Sequence, residues 1–241
     1  MKTDHVDYNL KDSVDRINQV IAAGSSSYEE RDKIPACSEL TFTNGFYVKC
    51  SVIHAEIRKT NEIADFYRNT ELSKLYRTYV SEVTAVMNGN PKCAEINIAG
   101  NCVWGVFDTP FQEDVDEVFS TGAKISSLID IMNYKFKKNN ITEITVGIGI
   151  SYGKGLVVKT GYKGSNVSEV VWMGDVVEEA AKLASYGNKE DSDRETMVSE
   201  IAYYNLNEEN REMLSFNSIR NCFHGDIVNS YMNKWYKQNC I

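Results

Sequence analysis

From Phe46 to Ile57 the chain reads FYVKCSVIHAEI, and its apolar and polar positions alternate well enough to predict a β-strand. The period then changes to that of a helix. Leu72, Leu75, Tyr76, Tyr79, Val83 and Val86 recur at helical spacing through LSKLYRTYVSEVTAVM, and NGNP at Asn88–Pro91 stops the run. INIAGNCVWGVF, from Ile96 to Phe107, reads as two short strands hinged on Gly100-Asn101. A second amphipathic helix runs from about Asp114 to Lys138 on Val115, Val118, Phe119, Ile125, Leu128, Ile129 and Met132, and the strand ITVGIGI follows. Strand, helix, strand, strand, helix, strand is the split βαβ order. It predicts an α+β fold with a ferredoxin-like βαββαβ core, an antiparallel sheet with both helices on one face.

The flanks are less periodic. Residues 1–45 read as an N-terminal leader with one amphipathic helix, Ser13–Ile21, ended by Gly24, and a loop through Pro35. After the core, GLVVKT and SEVVWM predict two strands joined by a turn at Gly161–Gly164, then a helix from Asp175 to about Ser185. GNKEDSDRE reads as a charged, exposed connector, and residues 195–241 hold short elements. The division is a leader at 1–45, a principal domain at 46–190 and a C-terminal extension of it at 191–241.

Composition narrows the function classes. With 241 residues and 42% hydrophobic content the chain can bury a full core. No apolar run is long enough for a membrane span and MKTDHVDYNL lacks signal-peptide order, so the expected location is the cytoplasm. Six cysteines without a CxxC pair argue against a zinc site or disulfide framework. The net charge of −8 argues against nucleic acid as a partner; a phosphorylated ligand would need cations gathered locally, from a few Lys and Arg or as metal ions.

Two short motifs carry little weight in context, the first kept only as a distant serine-hydrolase alternative and the second rejected. Gly149–Gly153, GISYG, matches the GxSxG nucleophile elbow, but it leads into another strand and His224 is the sole downstream histidine. GISYGK is one residue short of a phosphate loop, with Gly155 at the metal-binding Ser/Thr position. A glycine-rich turn is the expectation there. A more informative constellation joins Glu56 at the end of the first strand, Asn101 at the hairpin tip beside it, and Gly174-Asp175 opening the later helix. Two carboxylates at the first two positions would hold two hard divalent cations over a triphosphate.

AEIRKT, INIAGNCVWGVF, VGIGISYGKG and VVWMGDVVEEAAKL resemble, in order, the core motifs of the class III nucleotidyl cyclases, across roughly Phe46 to Asn188. LTFTNGFYVKC, GVFDTP, GYKGSN and VVWMGDVV resemble most the bacterial pyrimidine cyclases of the Pycsar antiphage systems, a likeness that extends into both flanks. The resemblance implies a homodimer with shared sites, a pyrimidine nucleoside triphosphate (UTP or CTP) as substrate, Mn²⁺ or Mg²⁺ as cofactor, and a 3′,5′-cyclic nucleotide that signals to a downstream effector. In that chemistry the ribose 3′-hydroxyl attacks the α-phosphate and pyrophosphate leaves. The alternative it leaves open is an impaired cyclase-fold dimer that binds nucleotide or regulates.

Carried over by position, Glu56 and the carbonyl of Ile57 fall at the first metal ligands and Asn101 at the second carboxylate. Glu178 falls where the family orients the ribose with Asn, and Lys182 where it places a transition-state cation, usually Arg. Asn101 loses a bridging charge, Glu178 adds one, and Lys182 loses the bidentate fork. The reciprocal charge change suggests that Glu178 of a second subunit replaces the carboxylate missing at Asn101. Asn97 and Val171 stand at the base-reading positions, matching neither purine set, and Asp175 and Arg58 are further substrate-binding candidates. Bland readings stand beside these: Asn101 as a turn residue, Glu178 and Lys182 as a surface ion pair, Arg58 as solvated, His54 as a buried hydrogen-bonded residue, and Trp104 and Trp172 as packing residues.

Overall fold

A computed structural model describes residues 5–60, 69–162 and 167–240. The six-element core is present: β2 (Gly45–Ile57), α2 (Asn69–Asn88), β3 (Cys93–Ala99), β4 (Cys102–Asp108), α3 (Gln112–Lys138) and β5 (Val146–Tyr162). These strands lie in the order β3-β4-β2-β5, every neighbouring pair antiparallel, as the split βαβ requires. Ahead of them come α1 (Leu10–Ile21) and β1 (Tyr28–Arg31). After them come β6 (Val167–Met173), α4 (Asp175–Ala184), β7 (Thr196–Val198), α5 (Glu200–Asn205), α6 (Glu208–Glu212), β8 (Ser215–Asn217), β9 (Cys222–Gly225) and α7 (Ser230–Asn239).

Strand alternation divides the core into two layers. Ile53, Ala55 and Ile57 of β2 face α2 and α3, where Leu75, Tyr79, Val83, Val115, Val118, Phe119 and Ile125 complete a buried cluster. Tyr79 also donates its hydroxyl to the Ala55 carbonyl at 2.7 Å, tying α2 to β2 near the tip that carries Glu56. Val48, Cys50 and Val52 of the same strand face the other way, under Val176 and Ala180 of α4 and Trp172 of β6. Thus α2 and α3 cover one face of the sheet, and α4 covers part of the other.

Three expectations are corrected. No turn interrupts Gly149–Gly153: β5 runs unbroken from Val146 to Tyr162, pairing with β2 from Ile57↔Val146 to Gly45↔Val158. The glycines there make room for a helix. A Cβ on Gly147 would lie 2.2 Å from the Ala184 carbonyl oxygen, and one on Gly149 2.1 Å from that of Ala180. Secondly, the connector after α4 is exposed over Lys189–Ser192 as expected but anchored at Asp193, which is buried, with Arg220 donating through Nη2 at 2.7 Å and Nε at 3.1 Å, and Asn217 at 3.2 Å. Thirdly, α1 starts at Leu10 because Asn9 caps it, accepting from the backbone N–H of Lys11 at 2.9 Å. The nearby Tyr28–Arg31 joins the sheet, parallel to Gly45–Val48. The turn read at Gly161–Gly164 reaches beyond the described residues.

Candidate active site

The tip of the β3–β4 hairpin is a two-residue loop with Gly100 at φ 60, the glycine-first pattern of a II′ turn, which matches the twist of the flanking strands. Its register places Cys102 opposite Glu56, so Asn101 overhangs the end of β2. The contacts are direct. Asn101 Nδ2 donates to the Ile57 carbonyl at 2.8 Å and to Glu56 Oε1 at 3.3 Å, and the Asn101 carbonyl accepts from the Ile57 N–H at 3.1 Å. Arg58 Nη1 lies 3.4 Å from Glu56 Oε2, while its Nη2 donates to the Ser185 carbonyl at the end of α4 at 3.1 Å. Glu56, Ile57, Asn101 and Arg58 therefore meet at one point.

A divalent cation at this tip would need hard oxygen donors around it. Glu56 and the Ile57 carbonyl are hard oxygen donors that suit one such ion. The amide NH₂ of Asn101, however, sits between them and satisfies both, as a cation would. No group of three or more His, Cys, Asp or Glu that could hold a metal exists among the described residues. The donor set fits one divalent ion if the amide turns its oxygen inward, and does not fit two.

The other predicted residues lie on α4, β3 and β6; Asn97 is on the sheet face that α4 covers, whereas Val171, next to Trp172 in the strand, alternates to the opposite face. Asp175, Glu178 and Lys182 are exposed and, at i, i+3 and i+7, form one stripe on the outer side of α4. No ion pair joins Glu178 to Lys182 among the described residues, so that bland reading does not hold. Gly174 starts this helix at φ 114, where its missing side chain relieves strain. Val171 lies half-buried on β6 opposite Val158 of β5. Asn97 faces Trp104, which in turn faces His54 across β4 and β2.

One residue of this face was missed in the sequence. Glu95, two before Asn97 and hence on the same side of β3, accepts from Asn97 Nδ2 at 3.1 Å and from Trp172 Nε1 at 2.9 Å. Its alternation with Asn97 was the available signal, but nothing local announced Trp172 as the partner. Near the tip, His54 stacks on Trp104 with centroids 5.3 Å apart, and its Nδ1 lies 3.2 Å from Cys102 Sγ. Burial pushes the imidazole down to about 4 and the Cys102 thiol up to about 12, so both stay neutral and no thiolate–imidazolium pair forms. Ser151 is fully buried and donates to the Val176 carbonyl, which removes it as a nucleophile.

No protein-family model matches the chain. It is 32% identical over 258 aligned positions, covering 99% of this chain and 100% of the relative, to the uridylate cyclase of Gulbenkiania mobilis. It is also 32% identical, over 97% of its length and 82% of the relative, to the uridylate cyclase of Treponema porcinum. This chain belongs to the uridylate cyclase family of class III nucleotidyl cyclases. The fold agrees with that of the guanylyl cyclase Cya2, superposing at a TM-score of 0.60 over 72% of this chain and 84% of that one, at 16% identity. Within this cyclase, the four motif segments occupy β2, the β3–β4 hairpin, β5, and β6 with α4. No helix among the described residues is long and apolar enough to cross a membrane.

Proposed function

We propose that this cyclase converts UTP to 3′,5′-cyclic UMP and pyrophosphate, and that the product serves as a second messenger in Pycsar-type antiphage defence. The observation that carries the proposal is the convergence of Glu56, the Ile57 carbonyl and Asn101 at the hairpin tip. The two uridylate cyclase relatives, aligned over nearly the whole chain, support UTP over CTP. The antiphage role rests on the resemblance of GVFDTP, GYKGSN and VVWMGDVV to that subgroup.

In this reading the working unit is a cytoplasmic homodimer. One subunit offers Glu56, Ile57 and Asn101 to the triphosphate; the other offers the α4 stripe and the base-reading strand. Glu56 and the Ile57 carbonyl would hold a single Mn²⁺ or Mg²⁺, which would neutralise phosphate charge when bound. Lys182 places a cation against the charge that develops at the α-phosphate, and Glu178 accepts from a ribose hydroxyl. Asp175 and Arg58 are assigned to substrate positioning, Arg58 by holding Glu56 and the end of α4 together. Residues 46–190 carry the site, with 1–45 and 191–241 as its leader and extension.

The Asn101 amide favours a second reading, a nucleotide-binding dimer with impaired chemistry, because it occupies both cation ligands itself. Incubating the purified chain with each of the four nucleoside triphosphates and Mn²⁺, then separating products, decides between them. Cyclic UMP supports the cyclase. Binding of UTP without product, with product restored by Asn101→Asp, supports the impaired form.

A further inference from the structure

Both carboxylate oxygens of Glu95 are engaged on the base-reading face: Trp172 Nε1 donates to Oε2 at 2.9 Å and Asn97 Nδ2 to Oε1 at 3.1 Å. An ionised carboxylate only accepts and an indole N–H only donates. Asn97 must therefore turn its NH₂, and not its oxygen, toward Glu95. That constraint matters because a free asparagine amide can read either pyrimidine. Its remaining N–H and its Oδ1 match O4 and N3–H of uracil; the same amide turned over matches N3 and N4–H of cytosine.

We infer that Glu95 is a specificity-determining positioning residue: held in place by Trp172, it fixes which way the Asn97 amide faces, and so which pyrimidine the site accepts. The inference rests on the reading above, in which Asn97 meets the base. Glu95 and Asn97 share one face of β3, and Trp172 is almost fully buried, 5% exposed, so the anchor is rigid.

The polarity of this chain makes an unusual outcome testable. Glu95→Gln keeps the shape but turns one acceptor into a donor. Trp172 Nε1 claims the remaining oxygen, the new amide nitrogen faces Asn97, and Asn97 must present Oδ1 to it. The reading edge is then inverted. Glu95→Ala removes the anchor without adding a donor, and Trp172→Phe removes the hydrogen bond that holds the carboxylate in place.

The measurement is competition binding of non-cyclisable α,β-methylene analogues of UTP, CTP, ATP and GTP to the full-length protein, with thermal melts confirming each variant's fold. We expect the natural protein to favour the UTP analogue by roughly 10- to 100-fold. Trp172→Phe narrows that preference, Glu95→Ala brings the ratio close to one, and Glu95→Gln reverses it. An unchanged ratio in Glu95→Ala and Glu95→Gln overturns the inference while leaving the pyrimidine reading intact. Natural protein that prefers ATP or GTP analogues to both pyrimidines overturns the reading and the inference together.

Discussion

Asn101→Asp puts a second carboxylate where the amide now bridges Glu56 and the Ile57 carbonyl. Contacts of 3.3 Å and 2.8 Å that join a donor to an acceptor become contacts between acceptors. Two unit charges 3.3 Å apart repel by about 1 kcal/mol in water and about 5 kcal/mol at an effective dielectric constant of 20. The Glu56 side chain is 32% exposed and Arg58 lies 3.4 Å away, and both reduce the repulsion. With the hydrogen bond to Ile57 also lost, the net deficit is about 1–3 kcal/mol. In chelator the variant should therefore melt about 2–12 °C below the natural protein. A hard divalent cation reverses the sign, because two carboxylates and a carbonyl are its preferred donors. Melts followed by circular dichroism, in EDTA and across a Mn²⁺ titration, read both effects. An aspartate variant that melts at or above the natural protein in EDTA would refute the view that the amide substitutes for a cation. The same titration tests the idea that Glu178 of a second subunit supplies the carboxylate missing at Asn101: on that idea Glu178→Gln should weaken Mn²⁺ binding in the natural background, and unchanged affinity would overturn it.

Two further predictions concern the scaffold. Gly149→Ala drives a Cβ to within 2.1 Å of the Ala180 carbonyl oxygen and 2.4 Å of the Ala184 nitrogen, so α4 must lift off β5. The cost should reach about 3 kcal/mol or more, read as lost soluble yield or a much lower melting point; a melt unchanged within error would contradict the packing. His54, pushed from 6.5 to about 4 by burial, binds its proton more readily in the unfolded chain. Its contribution is complete above pH 6.5 and is lost as pH falls from there toward about 4, up to roughly 3 kcal/mol in total. His54→Gln should flatten that part of the stability profile, and an imidazole NMR titration midpoint near 6.5 would rule the mechanism out.

The core was legible because its periods were clean: alternation along Phe46–Ile57 and helical spacing from Leu72 and from Val115 translate directly into two buried layers. The meeting of Glu56 with Asn101 was legible too, since the split βαβ order makes the first strand and the hairpin neighbours. Gly149–Gly153 misled, because a glycine run signals equally a turn or a strand beneath a closely packed helix, and the helix that decides comes some thirty residues later in the chain. Asp193 misled for a similar reason. Its neutralising partner, Arg220, is remote, so the segment reads as solvated until the sheet brings them together. For Glu95 the alternation with Asn97 was legible, but its importance was not, because that lies in the polarity of two hydrogen bonds, one of them to a strand far along the sequence.

Asn101 and Asn97 pose the same physical question at the two ends of this face. An amide carries a donor and an acceptor of similar size, so its neighbours decide what it presents. At the tip, Glu56 and the Ile57 carbonyl are acceptors and draw the NH₂ inward, so the hairpin is satisfied without a metal. On β3 Glu95 draws the NH₂ of Asn97 aside in the same way. The consequences differ because the competing ligands differ. A cation at the tip repels NH₂ and attracts Oδ1, so binding must turn the Asn101 amide and break both of its present contacts, roughly 1 kcal/mol each. Under the base-contact role proposed for Asn97, the base finds an amide already fixed and loses nothing to reorientation. This cyclase should consequently show ordinary selectivity among pyrimidines together with weak affinity for divalent cations, a combination that a single carboxylate restored at position 101 would separate.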